Sequence, residues 1–143
     1  MTARRVFEDE LFALDQFDAC VVPGYLILRL KTPASSLAEI TTETSHLLGA
    51  LLVHAVRAIE RATGADRVYC LSFCEVDRRL HFHLFPRTPW LLEAYWVATG
   101  ARHQPINGAM LFEWARATFV EDGRLPAGVA GADAVCAALR CNW

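Results

Sequence analysis

The spacing of apolar and polar positions divides the chain into strand-like and helix-like stretches. Residues 4–9 predict a short first strand with Val6 and Phe7 as its apolar part, and Leu11-Phe12-Ala13-Leu14-Asp15 predicts a second. Val21-Val22-Pro23-Gly24 breaks the pattern before Tyr25-Leu26-Ile27-Leu28-Arg29-Leu30 resumes it. That third run is nearly continuous in apolar character, as a central strand is, and Pro33 and Ser35-Ser36 end it. The clearest helix follows. Thr41 or Thr42 can cap it, and Glu43 sits in the first turn, where the dipole favours an anion. Leu48, Leu51, Leu52, Ala55, Ile59 and Ala62 recur at three-four spacing, with Arg57, Glu60 and Arg61 towards the other side, and Gly64 supplies the C-cap.

Arg67 to Val76 predicts a long fourth strand, Asp77-Arg78 a short turn, and Arg79 to Arg87 a fifth strand closing a hairpin. Thr88-Pro89-Trp90 breaks that strand. Leu91 to Val97 predicts a short helix, 100–108 a loop, and Met110 to Phe119 an amphipathic helix with Leu111, Trp114, Ala115 and Thr118 along one face. Glu121-Asp122-Gly123 breaks it, and Ala130 to Arg140 is helical by propensity. Short turns between strands and one long helix predict an α+β fold with a five-stranded antiparallel sheet, not a doubly wound one.

Composition narrows the function classes. At 143 residues and 54% hydrophobic, the chain has the length of one domain with a real core and is not disordered. A formal charge of −2 carries no footprint for nucleic acid, although a cluster such as Arg78, Arg79 and Arg87 can still bind a small phosphate. The apolar runs are too short to span a membrane, and the opening residues carry charges where a signal peptide has an apolar run, so a cytoplasmic protein is the expectation. Five cysteines without zinc-type pairing predict reduced thiols, those at Cys70 and Cys74 lying in an apolar run, and Cys136 and Cys141 structural or tolerated.

The chemistry gathers at Arg79-Leu80-His81-Phe82-His83-Leu84-Phe85-Pro86-Arg87, which holds two of the five histidines. In a strand, Arg79, His81 and His83 share one face at a spacing of roughly 7 Å, and Leu80, Phe82 and Leu84 share the other. Three readings stay open from spacing alone. A neutral imidazole can attack phosphorus or an acyl carbon while a neighbour assists the leaving group. The pair can be two ligands of a metal site whose third ligand would come from Cys74, Glu75 or His103. Or both can be polar residues on an exposed sheet face.

The run His81-Phe-His83-Leu-Phe-Pro86-Arg87, after a helix and a β-rich stretch, resembles the histidine triad superfamily. The usual pattern there is His-x-His-x-His-x-x with apolar residues at x, and branches acting on dinucleoside polyphosphates often continue it with Pro-Arg. Val21-Val22-Pro23-Gly24 before Tyr25-Leu26-Ile27-Leu28 resembles the family's Val-Val-Pro-Gly-His, and Leu37 to Thr41 with the long helix resembles its lead-in. The resemblance covers about residues 5–87 and implies a single HIT-like domain, with 88–143 as a helical C-terminal extension.

By position, the resemblance implies that His81 is the nucleophile, forming a nucleotidyl-histidine intermediate, and that His83 contacts the phosphate and supports charge on the leaving group. It implies substrate binding by Arg79, Arg87 and Glu75, with a base and ribose pocket around Asp15, Gln16, Phe17 and Asp18. The covalent step needs no metal or other cofactor, although a substrate can arrive as a magnesium complex. The partners implied are a nucleotide or dinucleotide substrate and a second copy of the chain in a homodimer, with neither nucleic acid nor membrane. Two positions depart from the pattern: Arg79 replaces the first triad histidine and Tyr25 the histidine after Val-Val-Pro-Gly. An arginine is always charged and cannot shuttle a proton. The expected function is a nucleotide hydrolase or nucleotidyl transferase acting at a phosphoanhydride or phosphoramidate bond. The alternatives are a nucleotide-binding regulatory module with little turnover and a metal-dependent enzyme using His81 and His83. Trp90, Tyr95, Trp96 and Trp114 are expected in core or interface, and in some relatives a C-terminal segment such as that ending in Trp143 crosses to the partner's site.

Overall fold

The computed structural model describes residues 4–121 and 124–143. Five strands, β1 (Arg5–Glu8), β2 (Phe12–Gln16), β3 (Leu26–Leu30), β4 (Arg67–Leu71) and β5 (His81–Arg87), form one sheet in the order β1-β2-β3-β5-β4. Every neighbouring pair is antiparallel and β3 is the middle strand, as its apolar character predicts. The helices are α1 (Thr42–Thr63), α2 (Pro89–Thr99), α3 (Gly108–Thr118) and α4 (Ala132–Cys141). Of the break expected after α3, Asp122 and Gly123 lie outside the described residues. No helix among the described residues is long and apolar enough to cross a membrane.

Helix α1 begins and ends where its cap residues place it. The Thr41 hydroxyl accepts from the Thr44 N–H at 3.1 Å, and Gly64 takes the left-handed conformation with its N–H donating to the Glu60 carbonyl. Its apolar stripe, Leu48, Ala55, Ala58 and Ile59, lies on one face of the sheet with Phe12, Leu14, Leu26, Leu28, Phe82 and Leu84. Val135, Cys136 and Leu139 of α4 complete that core. The opposite face carries Tyr25, Ile27 and Phe85, covered by Leu91, Leu92 and Tyr95 of α2 and Leu111, Phe112 and Ala115 of α3. The region after Arg87 is therefore the second cover of the sheet. Trp90, Trp96 and Trp114 pack at the margin of this second core.

Two expectations need correction, those for the hairpin and for the thiols. The fourth strand ends at Leu71 rather than Val76, and the fifth begins at His81 rather than Arg79, so the hairpin is closed by residues 72–80 and not by a short turn. The ladder stops because the Ser72 hydroxyl donates to the His81 carbonyl at 2.7 Å, and Cys74 turns the chain with a φ of 54°. Trp143 packs against its own chain. It stacks on Phe7 at 5.3 Å and meets His54 edge-on at 4.5 Å, on the side of the sheet covered by α1. Of the thiols, Cys20 and Cys136 are buried, whereas Cys70 is exposed and Cys74 partly so.

The break before β3 is built around a buried amide. Gln16, 2% exposed, accepts from the Gly24 N–H at 3.0 Å and donates to the Val22 carbonyl at 2.9 Å. Gly24 has φ +82°, and a Cβ there would lie 2.7 Å from Thr63 Cγ2 of α1. Both facts demand glycine, and together they fix where Tyr25 enters the sheet. Gly24→Ala is expected to destabilise the fold by about 2–4 kcal/mol, the sum of a left-handed alanine and an overpacked contact. Denaturant midpoints at constant slope measure this, and adding Thr63→Ser, which removes only the methyl, should recover the steric part.

Candidate functional site

Side chains of β5 alternate between the two cores, so His81, His83 and Phe85 share the face that also carries Ile27 and Arg29 of β3. The register sets Arg29 opposite His81 and Ile27 opposite His83. At the Phe85 end, α2 and α3 cover this face. At the His81 end it opens into a cavity of about 370 Å³, lined by Phe17, Ile27, Arg29, the loop residues Phe73 to Asp77, His81, His83 and Arg116.

The two imidazoles lie 5.1 Å apart, centre to centre, and are held differently. His81 Nδ1 lies 2.7 Å from the Arg79 carbonyl oxygen. A carbonyl only accepts, so Nδ1 carries a proton, and in the neutral ring the lone pair is on Nε2. The Cys74 sulfur, at 3.7 Å from the same nitrogen, is a weaker neighbour. His83 Nδ1 lies 2.6 Å from the hydroxyl of the fully buried Tyr25. Burial pushes the Tyr25 phenol above its ordinary range, so it stays protonated. We assign its O–H as donor to Nδ1, which places the His83 proton on Nε2. Burial, followed by the positive charges of His81, Arg116 and Arg29, pushes His83 down to about 4. At neutral pH His83 is thus a neutral N–H donor, beside an imidazole whose neutral form keeps its lone pair on Nε2.

No protein-family model matches the chain, and no curated protein does. Solved structures do. A Hit-like protein involved in cell-cycle regulation from Bartonella henselae, with an unknown ligand, superposes with a TM-score of 0.61 over 100% of this chain and 88% of its own, at 17% identity. A Zn-bound histidine triad family protein from Mycobacterium smegmatis gives 0.60 over 99% and 84%, at 18% identity. A hypothetical histidine triad nucleotide-binding protein from Sulfolobus tokodaii gives 0.55 over 60% and 61%, at 24% identity. The chain folds as a HIT-like domain.

Within this HIT-like domain the residues expected at the site divide into groups. His81, His83 and Glu75 line one cavity. Glu75 sits at its rim, exposed, with Arg78 Nη1 3.4 Å from its carboxylate. Asp15 and Asp18 line a neighbouring cavity of about 570 Å³, which shares Phe17 and Arg29 with the first. Asp15 is ion-paired with Arg5 and lies 3.8 Å from Arg29, whereas Asp18 is largely exposed. Arg79 does not stand beside His81 on a strand face. It precedes the strand, and its guanidinium turns out to Asp77, donating at 2.8 and 3.0 Å. Arg87 lies at the covered end of β5, where it grips both oxygens of Asp66. Among the described residues, no three of His, Cys, Asp and Glu are grouped so as to hold a metal ion.

Arg29 and Arg116 are the cationic cavity residues that sequence reasoning missed. The β3 alternation does put Arg29 on the Ile27 face, but only strand pairing reveals that His81 is its neighbour. Arg116 comes from a helix whose docking nothing in the local pattern announces.

The depressed His83 value has a sign that can be tested. The unfolded chain binds a proton near the ordinary pH of 6.5, and the fold resists it until about 4, so stability falls as pH drops through this window. His83 should account for about 3 kcal/mol of the loss by pH 4. Denaturation between pH 7 and 4 should show that slope flattened in His83→Asn, and an NMR titration of His83 should centre near 4.

Proposed function

We propose that this HIT-like domain is a nucleotide hydrolase or nucleotidyl transferase, acting at a phosphoanhydride or phosphoramidate bond with His81 as nucleophile and no metal in the covalent step. The observation that carries the reading is the tie between His81 Nδ1 and the Arg79 carbonyl, which leaves Nε2 free beside the N–H of His83.

The step is an in-line displacement. The Nε2 lone pair of His81 forms a bond to phosphorus as the bond to the leaving oxygen or nitrogen breaks. A leaving phosphate departs as an anion, and a leaving amine takes its proton from solvent. The phosphorylated imidazole is then cationic, and its Nδ1–H stays on the Arg79 carbonyl, whose dipole stabilises that charge. Water next attacks phosphorus, the P–N bond breaks, its electron pair returns to Nε2, and the water's proton passes to solvent. His83, neutral at working pH, donates Nε2–H to a phosphoryl oxygen throughout. Arg29 supplies positive charge from the sheet, and Glu75, held by Arg78, borders the phosphate site. Asp15 and Asp18 border the adjoining cavity, where a nucleoside can lie. Arg79 and Arg87 act outside the cavity, through the loop and through Asp66.

The contact to His81 is made by the main chain of Arg79, so the Arg79 side chain is dispensable in this mechanism. Turnover of dinucleoside polyphosphates and adenosine phosphoramidate, with and without EDTA, tests the reading. Expected are chelator-resistant hydrolysis, a loss of at least about 10³-fold in His81→Ala, and a change of less than about threefold in Arg79→Ala and Arg79→His. Binding without turnover would leave a regulatory module. Activity lost to EDTA and restored by one metal would reject the covalent mechanism.

A homodimer is the second element of the proposal. Strand β4 closes one edge of the sheet, and α1, packed over β4 and β5, exposes Leu47 and Val53. An open strand edge beside apolar side chains is a surface that a second copy can cover. Light scattering at micromolar concentration should give twice the 15.9 kDa chain mass, and Val53→Asp should shift it towards the monomer.

A further inference from the structure

Arg116 is the cationic residue of this cavity that the proposed chemistry leaves unused, and its setting is specific. It projects from α3 into the cavity that holds His81 and His83. Its guanidinium carbon lies 5.6 Å from the centre of the Phe17 ring and 5.2 Å from that of Phe112. The same two rings meet His83 edge-on at 5.9 and 6.0 Å. One aromatic pair therefore brackets both the guanidinium and the imidazole, which fixes Arg116 relative to His83 before any ligand arrives.

Its charge is unanswered. Several arginines have a carboxylate partner of their own, Arg5 with Asp15, Arg78 with Glu75, Arg79 with Asp77, Arg87 with Asp66 and Arg102 with Glu93, and Arg29 lies 3.8 Å from Asp15. Arg57, Arg61 and Arg67, for which no ion pair is seen among the described residues, are exposed to water, as Arg116 is not. Among the described residues no carboxylate comes within ion-pair distance of Arg116, although it is partly buried. The acidic members of the cavity wall, Glu75 and Asp77, are each engaged by an arginine of their own loop. The wall thus presents Arg29 and Arg116 to an anion, one from the sheet and one from the helix cover. A partly desolvated guanidinium without a counter-charge is costly unless a ligand supplies one.

We propose that Arg116 is a phosphate-binding residue of this site, clamping a ligand's phosphoryl oxygens from the α3 side while Arg29 holds them from the sheet. The planar fork suits two oxygens of a phosphoryl group. The clamp puts into the cavity the positive charge that Arg79, turned out to Asp77, does not bring there. The inference rests on the nucleotide reading for the ligand's identity, but its charge argument applies to any compact polyphosphate.

Calorimetric titration of the full chain with ADP and with inorganic pyrophosphate is the test, on wild type, Arg116→Ala, Arg116→Leu and Arg116→Lys. Arg116→Ala and Arg116→Leu should weaken both ligands about ten- to a hundredfold, and Arg116→Lys should recover part of the loss. Leucine keeps apolar bulk between Phe17 and Phe112, so wild-type affinity in Arg116→Leu would show that packing, not charge, is the role, and would overturn the proposal. Should a variant fail to fold, wild type alone decides: pyrophosphate should shift the Arg116 Nε–Hε resonance, and no shift overturns the proposal. The two claims fail separately. ADP bound without dependence on Arg116 defeats the clamp and leaves the nucleotide reading. Pyrophosphate bound through Arg116 with no binding of ADP defeats the nucleotide reading and leaves the clamp. No binding of either ligand defeats both.

Discussion

Strand β5 is buried on both of its faces by different partners, and this constrains the rest of the molecule. Phe82 and Leu84 belong to the core under α1, and Phe85 to the core under α2 and α3. A slip of one residue would drive His81 and His83 into the α1 core and expel leucines into the cavity. Burying two imidazoles without partners costs several kcal/mol, so register and chemistry are chosen together. The pairing with β3, Leu28 opposite Phe82 and Ile27 opposite His83, carries the same alternation into the centre of the sheet. A site built on a doubly packed strand is held more firmly than one built on loops.

What varies along β5 is the cover, not the strand. α2 and α3 seal the face around Phe85 and leave it open around His81. The boundary between the two regimes passes through His83, which is partly buried and bonded to the buried Tyr25. That position explains why His83 is so reluctant to take a proton. Burial disfavours the cation, and His81, Arg116 and Arg29 add to the penalty. A histidine kept neutral can donate a hydrogen bond to a ligand without bringing a second positive charge to the proposed nucleophile, His81. Tyr25 thereby does a job that a histidine at the same place could also do. It tells the ring which nitrogen carries the proton, and Gln16 and Gly24 fix where the phenol stands.

Much of this was legible in residue order. The alternation of Leu80 to Phe85, the caps Thr41 and Gly64, and the break at Val21 to Gly24 act through neighbours in sequence, so a local pattern reveals them. The antiparallel α+β fold and the pairing of His81 with His83 followed. The loop of residues 72–80 did not, because Leu71 to Val76 has strand propensity throughout. A single side-chain bond, Ser72 to the His81 carbonyl, competes with the ladder there and wins. Arg79 was misplaced for the same reason: once the ladder stops, Asp77 captures its guanidinium. Arg87 was drawn away by Asp66, 21 positions earlier in the chain. Arg29 and Arg116 needed tertiary structure, since each faces the histidines only through strand pairing or helix docking.

The arginine at position 79 bears on how a site of this geometry tolerates change. A histidine there would offer a side chain, but the contact seen at His81 Nδ1 is to the backbone carbonyl of residue 79. Backbone contacts do not depend on the side chain that accompanies them. An arginine can therefore occupy position 79 while the orientation of His81 is preserved, provided the chain bends as it does between Ser72 and His81. Turning its charge outward to Asp77 also spares His81 a further cation beside Arg29, where added repulsion would oppose the cationic intermediate of the proposed step. The requirement at this position is thus on chain path and on where the charge goes, which a residue-by-residue comparison of motifs does not register.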